Sequence, residues 1–256
     1  MEQTHQRSFL TETKCGSSGP EDRYHKSSGG AQVKADLCFQ YSSNDWKNLV
    51  ARLDHDEADW AAAIGVFERR MKERFFTSID ALVKADTKPD PKRLHSRPEE
   101  PHCIPGFSIM ALCCLLVETL QGFRERRATT GPSGPCTYPS GPCVKPSPDT
   151  TGQFIKFLRR PAFRGAFAED KIAKSFVRGI RNGILHEAET RKWLIWREAP
   201  TTMVQPLEDG YVLNRTMFYE AVKQEFESYL NDLRDATNAK LRETFKGKMS
   251  DIRKES

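Results

Sequence analysis

Residues 176–190 read FVRGIRNGILHEAET, and within them Arg181, Asn182 and His186 are the side chains with chemistry to offer. An arginine presents a planar fork of donors that fits phosphate oxygens and stays charged. A histidine titrates near neutral pH and moves protons. An asparagine amide can hold an imidazole or a phosphate oxygen. The set suits phosphodiester chemistry on ribonucleic acid, which carries its own nucleophile in the 2′-hydroxyl. A site then needs only to position that hydroxyl, take its proton and stabilise charge on phosphorus. Neither a metal nor a cofactor enters this expectation. The spacing alone is a weak pattern, because a histidine at a helix end also interacts with the helix dipole.

The stretch raises a geometric problem. On an ideal α-helix, five residues at about 100° each leave Arg181 and His186 about 140° apart. They converge only where the helix bends or ends between them. Gly179 and Gly183 each cost a helix about 1 kcal/mol relative to alanine. Gly183 near the expected end favours a turn there, so the pair is expected to meet because the helix terminates.

The elements that must position this motif are mostly helical. In 56–85, Trp60, Ile64, Phe67, Met71, Phe75, Ile79 and Leu82 recur every three or four residues, one face of a helix. Acids crowd its start, as the dipole favours, and Lys88-Pro89 ends it. The opposite face, with Arg69, Arg70, Lys72 and Arg74, reads as solvated. A broad apolar face in 106–127 (Ile109, Met110, Cys113, Leu116, Val117, Leu120, Phe123) predicts a central, largely buried helix. Its one acid in the apolar part is Glu118. That carboxylate is a candidate to reach the motif and fix Arg181 or His186; the alternative is a buried acid paired with some other arginine. GQFIKFLRR is a short helix stopped by Pro161, and 168–185 carries the stripe Ile172, Phe176, Ile180 and Ile184.

After His186 the period changes. KWLIWRE (192–198), TTMVQPL (201–207) and the turn signal Glu208-Asp209-Gly210 before YVLN predict two or three short antiparallel strands. Trp193 and Trp196 read as core, and Glu187 and Glu189 as solvated or paired with Arg191 and Lys192. Phe218, Val222, Phe226, Tyr229 and Leu233 mark a last helix within 216–236. The expected fold is therefore mainly all-α: a bundle of four to five helices with a small antiparallel β-hairpin before the last one.

Composition frames the domain. Hydrophobic residues make up 38% of 256, and the deficit is local. Residues 1–44 contain GSSGP and SSGG and read as a disordered arm. Residues 129–150, rich in proline and glycine, read as an irregular loop, and 238–256 as a basic, frayed tail with helix as the alternative. The folded domain is expected over 45–237, long enough for a real core. Net charge is +5, from 40 Lys and Arg against 35 Asp and Glu, a bias that permits a polyanion partner without demanding one. MEQTHQRSFLTETK has no apolar signal region, and IMALCCLLV is about half the length of a membrane span. Seven cysteines without an export signal predict reduced thiols in a cytoplasmic protein. Cys113 and Cys114 read as core. Cys136 and Cys143, with His95, His102 and Cys103, lack the spacing of a zinc knuckle.

The chain resembles the HEPN superfamily of small all-α domains. The residues that carry the resemblance are Arg181–Asn182–Gly-Ile-Leu–His186 in register with that family's signature. Three further segments support it: the helix AIGVFERRMKERFFTSIDAL, the helix PGFSIMALCCLLVETLQGF, and RNGILHEAET with the strands and helix that follow. It spans about 45–235. The resemblance implies a bundle that dimerises through the motif face, with two motifs forming one metal-independent endoribonuclease site. Arg181 would clamp the scissile phosphate, His186 act as general acid or base, and Asn182 orient. RNA is the implied substrate, and toxin–antitoxin, phage-defence or RNA-processing roles with a protein antitoxin partner are implied settings. Other members of the superfamily are non-catalytic and bind RNA, nucleotide or protein, which is the alternative reading.

Overall fold

The structure, a computed structural model, describes residues 36–38, 41–53, 56–86, 105–125, 150–198 and 200–254. Most of the arm 1–44, nearly all of the loop 129–150, and His95, His102, Cys103, Cys136 and Cys143 lie outside the described residues.

Strands β1 (Asp36–Cys38) and β2 (Tyr41–Ser42) pair antiparallel and lead into α1 (Ser43–Val50). A capping box starts α1: Asp45 N donates to Ser42 Oγ at 3.3 Å, and Ser42 N to Asp45 Oδ2 at 2.8 Å. The folded domain thus begins a little before residue 45. Trp46 on α1 is fully buried and donates from its indole to Ser250 Oγ at 3.4 Å, near the other end of the chain.

Helix α2 (Glu57–Met71) is capped by Asp56, whose Oδ1 accepts from Ala58 N at 2.9 Å. It runs through a π-helical stretch, Lys72–Phe76, into α3 (Thr77–Asp86). Trp60, Ile64, Phe67 and Met71 are buried as the period predicts. The next buried ring is Phe76, not Phe75, because the wider π turn advances the stripe by one residue. Helix α4 (Gly106–Glu125) is the central element and buries eleven residues, Cys113 and Cys114 among them. By length and composition it is apolar enough to cross a bilayer; here its apolar surface is mostly spent on the core.

Helices α5 (Thr150–Leu158), α6 (Pro161–Arg164, with proline in the first turn) and α7 (Asp170–Phe176) follow. Helix α7 continues as a π-helical stretch, Val177–Glu187, which carries the motif. Phe163, Phe167 and Phe176 pack around Phe218 of α8 (Arg215–Arg234), with Phe176 stacked on Phe218 at 5.1 Å.

The small sheet departs from expectation. It contains β3 (Trp193–Trp196), β4 (Val204–Leu207) and β5 (Gly210–Asn214) in the order β3-β5-β4. Only β4 and β5 form an antiparallel hairpin; β3 runs parallel to β5, with Leu194 opposite Val212. The bend between β3 and β4 reverses the chain once before the hairpin does so again. Asn214 holds that bend, donating to Glu198 O at 3.1 Å and Pro200 O at 2.7 Å. Trp193 is core, but Trp196 is 50% exposed.

In the tail the helical alternative is the one observed. Residues Ala239–Lys254 form a helix, α9, with Phe245 and Met249 fully buried. Arg242, 5% exposed, bonds both Glu57 oxygens at 2.6 and 2.8 Å and lies over the Trp60 ring. The helix belongs to the bundle and does not fray, because Leu241, Phe245, Met249 and Ile252 give it an apolar stripe among its lysines.

Candidate active site

The motif residues come together, by a route other than the expected one. The helix does not end at Gly183. It rewinds as a π-helix over Val177–Glu187. A π turn closes from residue i to residue i+5, so side chains five apart lie much nearer one another around the helix than they do on an α-helix. That winding brings Arg181 Nη1 to 3.4 Å from His186 Nε2. A guanidinium has only donors, so this contact is a hydrogen bond when Nε2 carries the lone pair.

The glycines have a specific task. Ala188 takes a left-handed conformation (φ 55°) and folds the chain back along the helix it has just left. Gly183 O then accepts from Glu189 N at 3.2 Å, and Gly179 O from Arg191 N at 3.3 Å. The returning chain lies so close that a Cβ on Gly183 would sit 2.4 Å from Glu189 O. One on Gly179 would sit 2.6 Å from Arg191 O. Gly183 O also accepts from Ala188 N as the helix closes, so the returning segment adds a second donor to it. Trp193 locks the arrangement from β3 by donating to Ser175 Oγ at 3.1 Å.

Glu118 reaches the motif from α4. Its Oε1 accepts from Arg181 Nε at 2.5 Å, and the Arg181 side chain is 15% exposed. Arg181 Nη1 also donates to Asn182 Oδ1 at 2.9 Å. Two fixed bonds therefore orient a guanidinium that has five N–H donors. The imidazole of His186 is exposed. An oriented, partly covered cation thus lies beside an accessible proton-transfer group. Glu187 follows the histidine and pairs with Arg191. Lys192 pairs instead with Asp209, on the β4–β5 turn.

The sequence named all four residues of this cluster. It did not assign the glycines to the returning strand, although two glycines four apart in an otherwise apolar helix signal close approach. Among the described residues no group of three or more His, Cys, Asp or Glu gathers as a metal site would need. No family model matches the chain, and no curated protein or solved structure matches it.

Proposed function

We propose that the chain is a metal-independent endoribonuclease of HEPN type, with Arg181 and His186 as half of a composite site completed by a second copy. The observation that carries the reading is the 3.4 Å approach of Arg181 to an exposed His186, with the arginine held from behind by Glu118. One imidazole takes the proton of the RNA 2′-hydroxyl, and the 2′-oxygen attacks phosphorus. The bond to the 5′-oxygen breaks, and that oxygen takes a proton from the other imidazole. Each arginine stabilises charge on the non-bridging oxygens. A 2′,3′-cyclic phosphate and a 5′-hydroxyl result. Two imidazoles are needed at once, so a two-fold axis through the motif face follows. A toxin–antitoxin or defence setting, with a protein partner, goes with this reading.

The test incubates purified protein with total RNA in EDTA beside His186→Ala and Arg181→Ala. Cleavage by the wild type and loss of about 10²- to 10⁴-fold in each variant is expected. Cleavage only with added Mg²⁺, or by His186→Ala at the wild-type rate, overturns it. One observation favours a second reading, a non-catalytic module binding RNA, nucleotide or a protein partner. Glu118 already occupies Arg181 Nε, and that side chain is only 15% exposed, as in a structural brace. If both variants fail to fold, the brace stands and the enzyme does not.

A further inference from the structure

Lys174, Arg178, Asn182 and His186 recur every four residues. The helix that carries them is α-helical to Phe176, with about 3.6 residues per turn, and π-helical, with wider turns, from Val177. A spacing of four lies between those two periods. The four side chains therefore run in one file along the helix, with little drift around it. His186 and Asn182 end the file at the motif. Lys174 and Arg178 begin it, and there they line a cleft of about 400 Å³.

Arg191 and Lys192, on the segment that returns along the helix, also line that cleft, as does Gly179. The close approach at Gly179, where a Cβ would meet the Arg191 carbonyl, sets the returning segment against the helix, so that all four cations line one cleft. Lys192 holds a left-handed backbone (φ 55°) that disfavours side-chain-bearing residues. Its carbonyl is fixed by Tyr211 N at 2.9 Å. Strain of this kind persists only where the surroundings hold it, and it clusters at ligand clamps.

Three of the four cations meet exposed carboxylates: Lys174 meets Asp170, Arg191 meets Glu187 and Lys192 meets Asp209. Such surface pairs are weak and yield readily to a phosphate. Arg178 has no ion pair among the described residues, is exposed and lines the cleft.

We infer that this cleft holds the backbone of single-stranded RNA a few nucleotides from the phosphate at Arg181 and His186. The inference rests on the ribonuclease reading of that pair. Arg178 precedes His186 by eight residues, at most about 12 Å at ~1.5 Å per residue. An RNA backbone covers that span in a few nucleotides. The substrate is therefore an oligonucleotide that extends at least that far from the scissile bond, on one side.

Equilibrium binding tests this separately from cleavage. A fluorescein-labelled 12-nucleotide 2′-O-methyl oligouridylate, which lacks the nucleophilic hydroxyl and so is not cleaved, is titrated by anisotropy at several salt concentrations against full-length wild type, Lys174→Ala, Arg178→Ala and, as a charge control outside the cleft, Lys240→Ala. Arg178→Ala and Lys174→Ala are expected to weaken binding about 3- to 10-fold and each to lower the salt slope by about one. Lys240→Ala should bind like the wild type, and a labelled 2′-O-methyl uridine dinucleotide should bind far more weakly than the 12-mer. Equal affinity and slope in wild type, Arg178→Ala and Lys174→Ala overturn the inference, as does no RNA binding by the wild type. It also falls if micromolar pyrophosphate displaces the 12-mer and the dinucleotide binds as well as the 12-mer, since the cleft then takes a small free phosphate. Loss of binding in Arg178→Ala by a protein that cleaves nothing overturns the catalytic reading and leaves the backbone cleft standing.

Discussion

Gly183 lies directly under the carbonyl of Glu189, where a Cβ would come within 2.4 Å of that oxygen. Two rules conflict here. Helix propensity favours Gly183→Ala by about 1 kcal/mol. The structure places backbone where the new methyl must go, and backbone does not swing aside as a lysine tip would. The clash should win. Gly183→Ala and Gly179→Ala are each expected to destabilise by more than about 1 kcal/mol, read by urea denaturation. A variant more stable than the wild type would mean that the returning segment does not pack on the helix as described.

The same relationship marks how far the sequence could be read. Arg181, Asn182, His186 and Glu118 were legible because their residue types are rare on an apolar helix and their chemistry is specific. Their route to one another was not. An ideal helix separates residues five apart, and nothing in a hydrophobic period distinguishes a π turn from a helix end. A similar slip moved the buried ring from Phe75 to Phe76. The parallel β3–β5 pairing was hidden because alternation reveals a strand but not its neighbour's direction. Helix α1 carried a legible signal, Ser42 with Asp45 three residues on, but its cap fell in the arm 1–44, whose composition pointed to disorder.

Helix α9 should prove indispensable. Phe245 is fully buried against Trp46, Trp60, Phe67 and Phe123. Truncating a buried phenylalanine costs about 3–5 kcal/mol, a large share of the ~5–15 kcal/mol that holds a typical domain. Phe245→Ala is expected to lower the urea midpoint sharply, and ending the chain at residue 238 to abolish cooperative unfolding. A truncated chain that melts like the full one would return this segment to the status of a tail.

The Glu57–Arg242 pair predicts an acid-dependent term. Hydrogen bonding to the Arg242 guanidinium, against a smaller opposing effect of burial, holds the Glu57 carboxyl below its ordinary range. A carboxylate lowered in the folded state contributes stability above its unfolded pKa of about 4.3. That contribution fades as pH falls through the lower, folded value. Glu57→Gln should therefore melt below the wild type at neutral pH, and the gap should close on the acid side of the usual carboxylate range. A gap constant from neutral to strongly acidic pH would show that the pairing charge contributes nothing.

Burial pushes the thiols of Cys113 and Cys114 far above the ordinary cysteine range. The thiolate is the nucleophile, so both should resist iodoacetamide in the native state at neutral pH. Peptide mapping by mass spectrometry is expected to find the 113–114 peptide unmodified in native protein and fully alkylated in guanidinium. Native alkylation on a par with the unfolded chain would contradict a central, buried α4.

Glu118 provides the sharpest check on the site. Its carboxylate accepts from Arg181 Nε at 2.5 Å and fixes the plane of the guanidinium beside His186. On the ribonuclease reading, Glu118 touches no substrate and acts only by positioning the arginine. A displacement of about 1 Å at a catalytic group costs on the order of 10²-fold in rate, so Glu118→Ala should lower kcat by about that factor while KM changes little. Glu118→Gln keeps an oxygen acceptor and should recover part of the loss. Stability should fall by about 1.5–3 kcal/mol in Glu118→Ala, the worth of a hydrogen bond between charged groups. The decisive measurement is the double variant. If Glu118 works through Arg181, Glu118→Ala should cost almost nothing further once Arg181→Ala is present. Independent, multiplying losses would assign Glu118 a role that does not pass through the arginine.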